Sequence, residues 1–93
     1  MVISFAVKEA RTQLEKHGIV YTLRLQYRHT GKTGYNHFGG DTNKGDVYIK
    51  FIGDFSNRKE DLEPFVKGSG FDSLEKWLKK AKKSRFLYKV RLL

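Results

Sequence analysis

Thr22, Arg24, Gln26 and Arg28 stand at alternate positions in the stretch IVYTLRLQYR, residues 19–28. In an extended chain every second side chain points the same way, so these four share one face at a repeat of about 7 Å. A row with that repeat can track the phosphates of a single-stranded nucleic acid. Each guanidinium adds a planar fork that bonds phosphate through two N–H groups and stacks on bases. No acid occurs in the stretch to pair with either arginine. The expected role of Arg24, Gln26 and Arg28 is therefore to bind a polyanion.

The next segment, HTGKTGYNHFGG (29–40), places His29, Lys32, Tyr35, Asn36, His37 and Phe38 among glycines. Glycine lets a ligand approach the backbone closely. Lys32, Tyr35 and His37 extend the binding face, with Tyr35 and Phe38 able to stack bases and Asn36 to bond a base edge. His29 and His37, with Lys32 between them, offer a second chemistry: metal-free cleavage of RNA. One imidazole would take the 2′-hydroxyl proton, the other would protonate the leaving oxygen, and the lysine would stabilise the charged intermediate. The GKT within the segment is not a phosphate loop, since position 26, where such a loop needs glycine, is Gln26 and Gly34 follows. Metal binding is not expected, because Asp41 is the only acid nearby and the histidine spacing fits no ligand pair.

Charge points the same way. The chain of 93 residues has 19 basic and 10 acidic residues, a net charge of +9. No acid follows Glu75, whereas Lys76, Lys79, Lys80, Lys82, Lys83, Arg85, Lys89 and Arg91 all do. An excess of this kind with interleaved aromatics selects polyanions, and nucleic acid above all. Lys79 and Lys83 are the helix positions expected to hold phosphates. Like charges at three- and four-residue spacing destabilise a helix, so a partner that neutralises them is expected, an acidic protein being the alternative to nucleic acid. With no cysteine, the chain forms no disulfide and fits a reducing cytoplasm. No apolar run is long enough to cross a membrane, and MVISFAVKEA lacks the features of a secretory signal.

These residues need elements to position them. Ser4 is expected to cap a helix reaching Lys16, with Val7, Ala10 and Leu14 along its buried stripe and Gly18 ending it. A strand over 19–28 follows, with Ile19, Tyr21, Leu23, Leu25 and Tyr27 inward. Residues 29–45 carry five glycines and no periodicity, which predicts a functional loop with at most a short strand at 35–38. DVYIKFI (46–52) alternates as a second strand. Residues 53–70 read as a polar connection with one helical turn near 58–63, before Pro64. Asp72 and Glu75 form a capping box for a helix whose buried stripe is Leu74, Trp77, Leu78 and Ala81. RFLYKVRLL closes with a strand, Phe86, Tyr88, Val90 and Leu92 inward and Leu87, Lys89 and Arg91 outward. Residues 1–93 make one α+β domain, a small mixed β-barrel or curved sheet with two helices.

The chain resembles a small archaeal-type member of the ASCH domain family, within the PUA-like superfamily. The likeness lies in the leading helix, the strand bearing Arg24, the glycine-bearing loop, KGDVYIKFIG, and the closing GFDSLEKWLKKAKKSRFLYKVRLL. Around the first strand the family shows G-x-K-x-x-E-x-R. Aligned on Arg24, Thr22 takes the glutamate's place, Ile19 the lysine's and His17 the glycine's. The resemblance implies a PUA-like barrel and an RNA- or DNA-facing cleft beside the first strand, with Arg24 in it. In members that hydrolyse acylated cytidine it would assign catalysis to the lysine with a threonine and a glutamate nearby. Ile19 cannot supply the lysine's chemistry, although Thr22 is retained. The expected function is a cofactor-free module for RNA or single-stranded DNA. The alternative is a ribonuclease or modified-nucleoside hydrolase using Thr22, His29 or His37.

Overall fold

In the computed structural model, residues 2–38 and 42–93 are described; Met1 and residues 39–41, Asp41 among them, lie outside the described residues. The leading residues form a short strand, β1 (Ile3–Ser4), so Ser4 is not the helix cap expected of it. Helix α1 (Lys8–His17) starts after Val7 instead, and Gly18, at φ +76°, ends it in the left-handed conformation. Ala10 and Leu14 are buried as their spacing predicts, whereas Val7 is exposed.

Strand β2 (Ile19–Arg24) stops four residues short of the expected end. Its partner supplies the reason. Strand β5 (Phe86–Leu92) runs antiparallel to β2 and begins opposite Arg24, at Phe86, so residues 25–28 have no ladder to join. Leu25 and Tyr27, expected inward, are 62% and 53% exposed. The segment read as a loop contains a regular strand, β3 (Gly31–Asn36), paired with β4 (Gly45–Asp54).

The five strands follow the order β1–β3–β4–β5–β2, with β1 parallel to β3 and the other neighbours antiparallel. An irregularity between Phe51 and Gly53 of β4 puts one extra residue, Ile52, into that strand. Such a bulge increases bend and twist, and the sheet curls into a half-barrel whose edges are β1 and β2. Inside the curl, Ile3, Phe5, Val20, Val47, Ile49 and Val90 pack with Ala10 and Leu14, so α1 closes the concave side.

The convex side is covered at one end only. Leu23 and Leu87 lie beneath Leu62, Val66 and Trp77. The first two of these belong to a 3₁₀ helix (Lys59–Gly68) that runs on through Pro64, beyond the single turn expected. Trp77 belongs to α2 (Leu74–Ala81). This cover buries Leu87, which alternation alone placed outward. The cap of α2 is Ser73, whose hydroxyl accepts from the Lys76 amide at 3.2 Å, while Asp72 pairs with the Lys76 ammonium at 3.4 Å. The architecture is α+β, a half-barrel with two α-helices and one 3₁₀ helix among the described residues. No helix among them is long and apolar enough to cross a membrane.

Candidate nucleic-acid interface

Alternation along β2 does not separate a wet face from a dry one. Val20 and Thr22 are buried toward the concave core, and Arg24 continues that inward face. Tyr21 and Leu23 are packed beneath the 3₁₀ helix and α2. The arginines, expected to face solvent, instead reach across the opening of the half-barrel. Arg24 Nη1 donates to the Ser4 carbonyl at 2.7 Å, and its guanidinium lies 4.7 Å over the Phe5 ring. Arg28 Nη1 donates to the Val2 carbonyl at 3.2 Å. The arginines need no acids here because backbone carbonyls at the β1 edge accept their protons.

That arrangement satisfies hydrogen bonds without neutralising charge. Burial, with Arg28 close by, lowers the Arg24 guanidinium to about 10, so it stays charged at neutral pH. Its Nε is sealed from solvent and has no acceptor. The segment after β2 is held by the Tyr88 hydroxyl, which accepts from the Arg28 amide and donates to the Arg28 carbonyl. Burial raises the Tyr88 phenol, keeping it a donor at neutral pH.

Two cavities meet at Arg24 and Leu25. The smaller, of about 300 Å³, lies between the β1–α1 connection and α2; Phe5, Phe71 and Trp77 give it apolar walls, while Thr22, Lys80 and Ser84 add polar groups. The larger, of about 640 Å³, is lined by Gln26, Tyr27, Arg28, His29 and Lys32. No aspartate or glutamate lines either one. Tyr27 stands edge-on to Phe51 with ring centres 5.1 Å apart and 5.6 Å from His29, which places an exposed aromatic at the mouth.

The fold therefore brings together Arg24, Gln26, Arg28, His29 and Lys32, with Thr22 in the adjoining cavity. It carries Tyr35 and His37 elsewhere. Tyr35 is 5% exposed, its ring in the core and its hydroxyl donating to Glu15 at 2.9 Å, so it cannot stack a base. His37 Nε2 lies 2.7 Å from the same Glu15 oxygen. The hydrogen bond from His37, ahead of the one from Tyr35, holds the Glu15 carboxyl below its usual range; burial raises the Tyr35 phenol. His29 and His37 consequently do not share a cavity, and the acid–base pair considered for RNA cleavage is not assembled.

Asn36 is buried and accepts from the Ser4 hydroxyl, while Phe38 is exposed beneath the Arg11 guanidinium. Lys79 borders a separate hollow with Glu9 and Asp72, and Lys83 is exposed beyond the end of α2. Lys80, one position from the expected Lys79, is the α2 lysine that reaches the Arg24 cavity. Counting three residues on from the buried Trp77 locates it. Tyr27 is the other residue missed, because alternation assigned it to the core. Among the described residues no three histidine, aspartate or glutamate side chains converge as a metal site would require. No protein family, curated protein or solved structure matches the chain.

Proposed function

We propose that this chain is a nucleic-acid-binding module for RNA or single-stranded DNA, built on a PUA-like half-barrel of the ASCH type and acting in the cytoplasm. The observation that carries the reading is the pair of adjoining cavities that share Arg24 and are lined without a single carboxylate. A phosphate chain laid along the larger cavity meets Arg28, Lys32 and Gln26, with Tyr27 available for stacking. An unpaired base turned inward meets aromatic walls and the Arg24 Nε donor that has no acceptor. Unpaired bases fit this arrangement better than a duplex, whose bases remain stacked and paired.

The test is a salt titration of binding to a ten-nucleotide RNA, the equivalent DNA and a duplex, using wild type and Arg24→Met/Arg28→Ala. The double variant is expected to weaken single-strand binding more than tenfold at moderate salt. It should also reduce the slope of log affinity against log salt by about 1.4, for two lost phosphate contacts. Unchanged affinity, with a circular dichroism melt showing the variant folded, would remove both arginines from the site.

A further inference from the structure

The register of the central strands lays out a second cationic surface, on the convex side of the sheet. Lys32 of β3 stands opposite Tyr48 of β4, and Tyr48 stands opposite Arg91 of β5. Two residues along, Lys50 of β4 stands opposite Lys89 of β5. Their chain neighbours Val47, Ile49 and Val90 are buried in the concave core, which turns these five side chains outward. Strands lie about 4.8 Å apart and same-face residues about 6.7 Å, so the patch measures roughly 10 by 7 Å. The cover formed by the 3₁₀ helix and α2 lies over Leu23 and Leu87 and leaves Tyr48 38% exposed.

Among the described residues Lys50, Lys89 and Arg91 have no carboxylate within ion-pair distance; Asp46, at one corner, lies 3.9 Å from Lys32. Like charges directly opposite one another destabilise a sheet. The Lys50–Lys89 pair carries that penalty with nothing in the fold to relieve it. A partner bearing regularly spaced negative charges would relieve it, and Tyr48, flanked by Lys32 and Arg91 on a flat sheet, gives a base a surface on which to stack.

We infer that this convex patch is a second contact surface for single-stranded nucleic acid, with Tyr48 stacking a base and Lys50, Lys89 and Arg91 holding the flanking phosphates. Lys32 borders both the larger cavity and the patch, so a strand leaving the cleft crosses β3 directly onto the sheet. The inference rests on the nucleic-acid reading proposed above, but not on the cleft residues that reading names.

Binding of a labelled twenty-nucleotide RNA separates the two. The full chain is compared as wild type, Lys50→Gln/Lys89→Gln/Arg91→Gln, Tyr48→Leu and Arg24→Met/Arg28→Ala, each checked by its melt. The triple variant is expected to bind at least tenfold more weakly, with the salt slope reduced by about 2. Tyr48→Leu, which keeps an apolar body, should lose at least fivefold. Lys50→Gln alone keeps the test open should the triple variant fold poorly, and should lose about threefold. Wild-type affinity in all the patch variants, with loss only in the arginine variant, would overturn the patch and leave the cleft standing. Loss only in the patch variants would support the patch and remove the cleft. Poly-glutamate binding as tightly as RNA, and weakened equally by the triple variant, would overturn the patch in favour of an acidic protein. No binding of RNA or DNA by wild type would overturn both.

Discussion

Arg24 holds a charge inside the half-barrel with one carbonyl and one aromatic face for company. A sealed donor without an acceptor costs about 1–3 kcal/mol, and departures of this kind from consistent packing concentrate at functional positions. The sequence made two arginines without acids legible; it could not reveal that β1 carbonyls accept their protons, because backbone acceptors leave no mark in a side-chain pattern. Glu15 is the opposite case. Nothing in its spacing marked it, yet it accepts hydrogen bonds from both His37 and Tyr35 and so fixes two candidate residues away from the cleft. Its folded carboxyl titrates below the ordinary value, chiefly through the His37 bond. A lowered carboxyl contributes stability that is present above the unfolded value and disappears as pH falls through the folded one. Glu15→Gln should therefore melt a few degrees below wild type at pH 7, a modest gap because the group is partly solvated. The gap should close by about pH 3, where wild type loses the same charge. Melts by circular dichroism across that range decide it, and a gap of constant size would show that Glu15 acts through shape alone.

Elements show most clearly where periodicity is a sufficient guide. Strand β5 was readable because Phe86, Tyr88 and Val90 alternate with Lys89 and Arg91 and its partners extend along its whole length. Strand β2 was overrun to Arg28 because Leu25 and Tyr27 continue the pattern after the partner strand has begun, and one strand's sequence does not encode where its neighbour starts. A strand as short as β1 has no period to read. The link between the 3₁₀ helix and α2 is similarly silent in the sequence, yet its geometry is demanding. Gly70 sits at φ +90°, and a Cβ there would lie 2.2 Å from the Glu9 carbonyl oxygen and 3.1 Å from Gln13 Cβ. Both the backbone conformation and the close approach to α1 exclude a side chain. Gly70→Ala is expected to cost at least about 2 kcal/mol, lowering the melting temperature by roughly 8–16 °C. A fall under about 2 °C would mean that the link can move off α1 freely.

Across the whole molecule, one curled sheet gives two different environments for cations. The concave opening holds arginines against carbonyls, whereas the convex side bears lysines and Arg91 on bare sheet beyond the reach of the 3₁₀ helix and α2. The opening is also the mechanically weak line of the fold, since β1 is two residues long and β1 and β2 are not paired with each other. Besides its ladder to β3, β1 is anchored by the Phe5 amide on the Asn36 carbonyl, the Ser4 hydroxyl on Asn36, and the two guanidinium bonds from across the gap. Removing both guanidinium groups should loosen this edge without loosening the sheet, because β4 and β5 are paired on both sides. Amide exchange at Phe5 in Arg24→Met/Arg28→Ala is thus expected to rise about tenfold, the loss of roughly 1.4 kcal/mol of local opening energy. Exchange at Ile49 and Val90 should change only by as much as global stability does. Single-stranded RNA bound to wild type should slow Phe5, since a strand lying over the opening holds both edges in place. An equal change at Phe5 and Val90 would show that the edge and the sheet open as one unit, and that the arginines act on the stability of the entire fold.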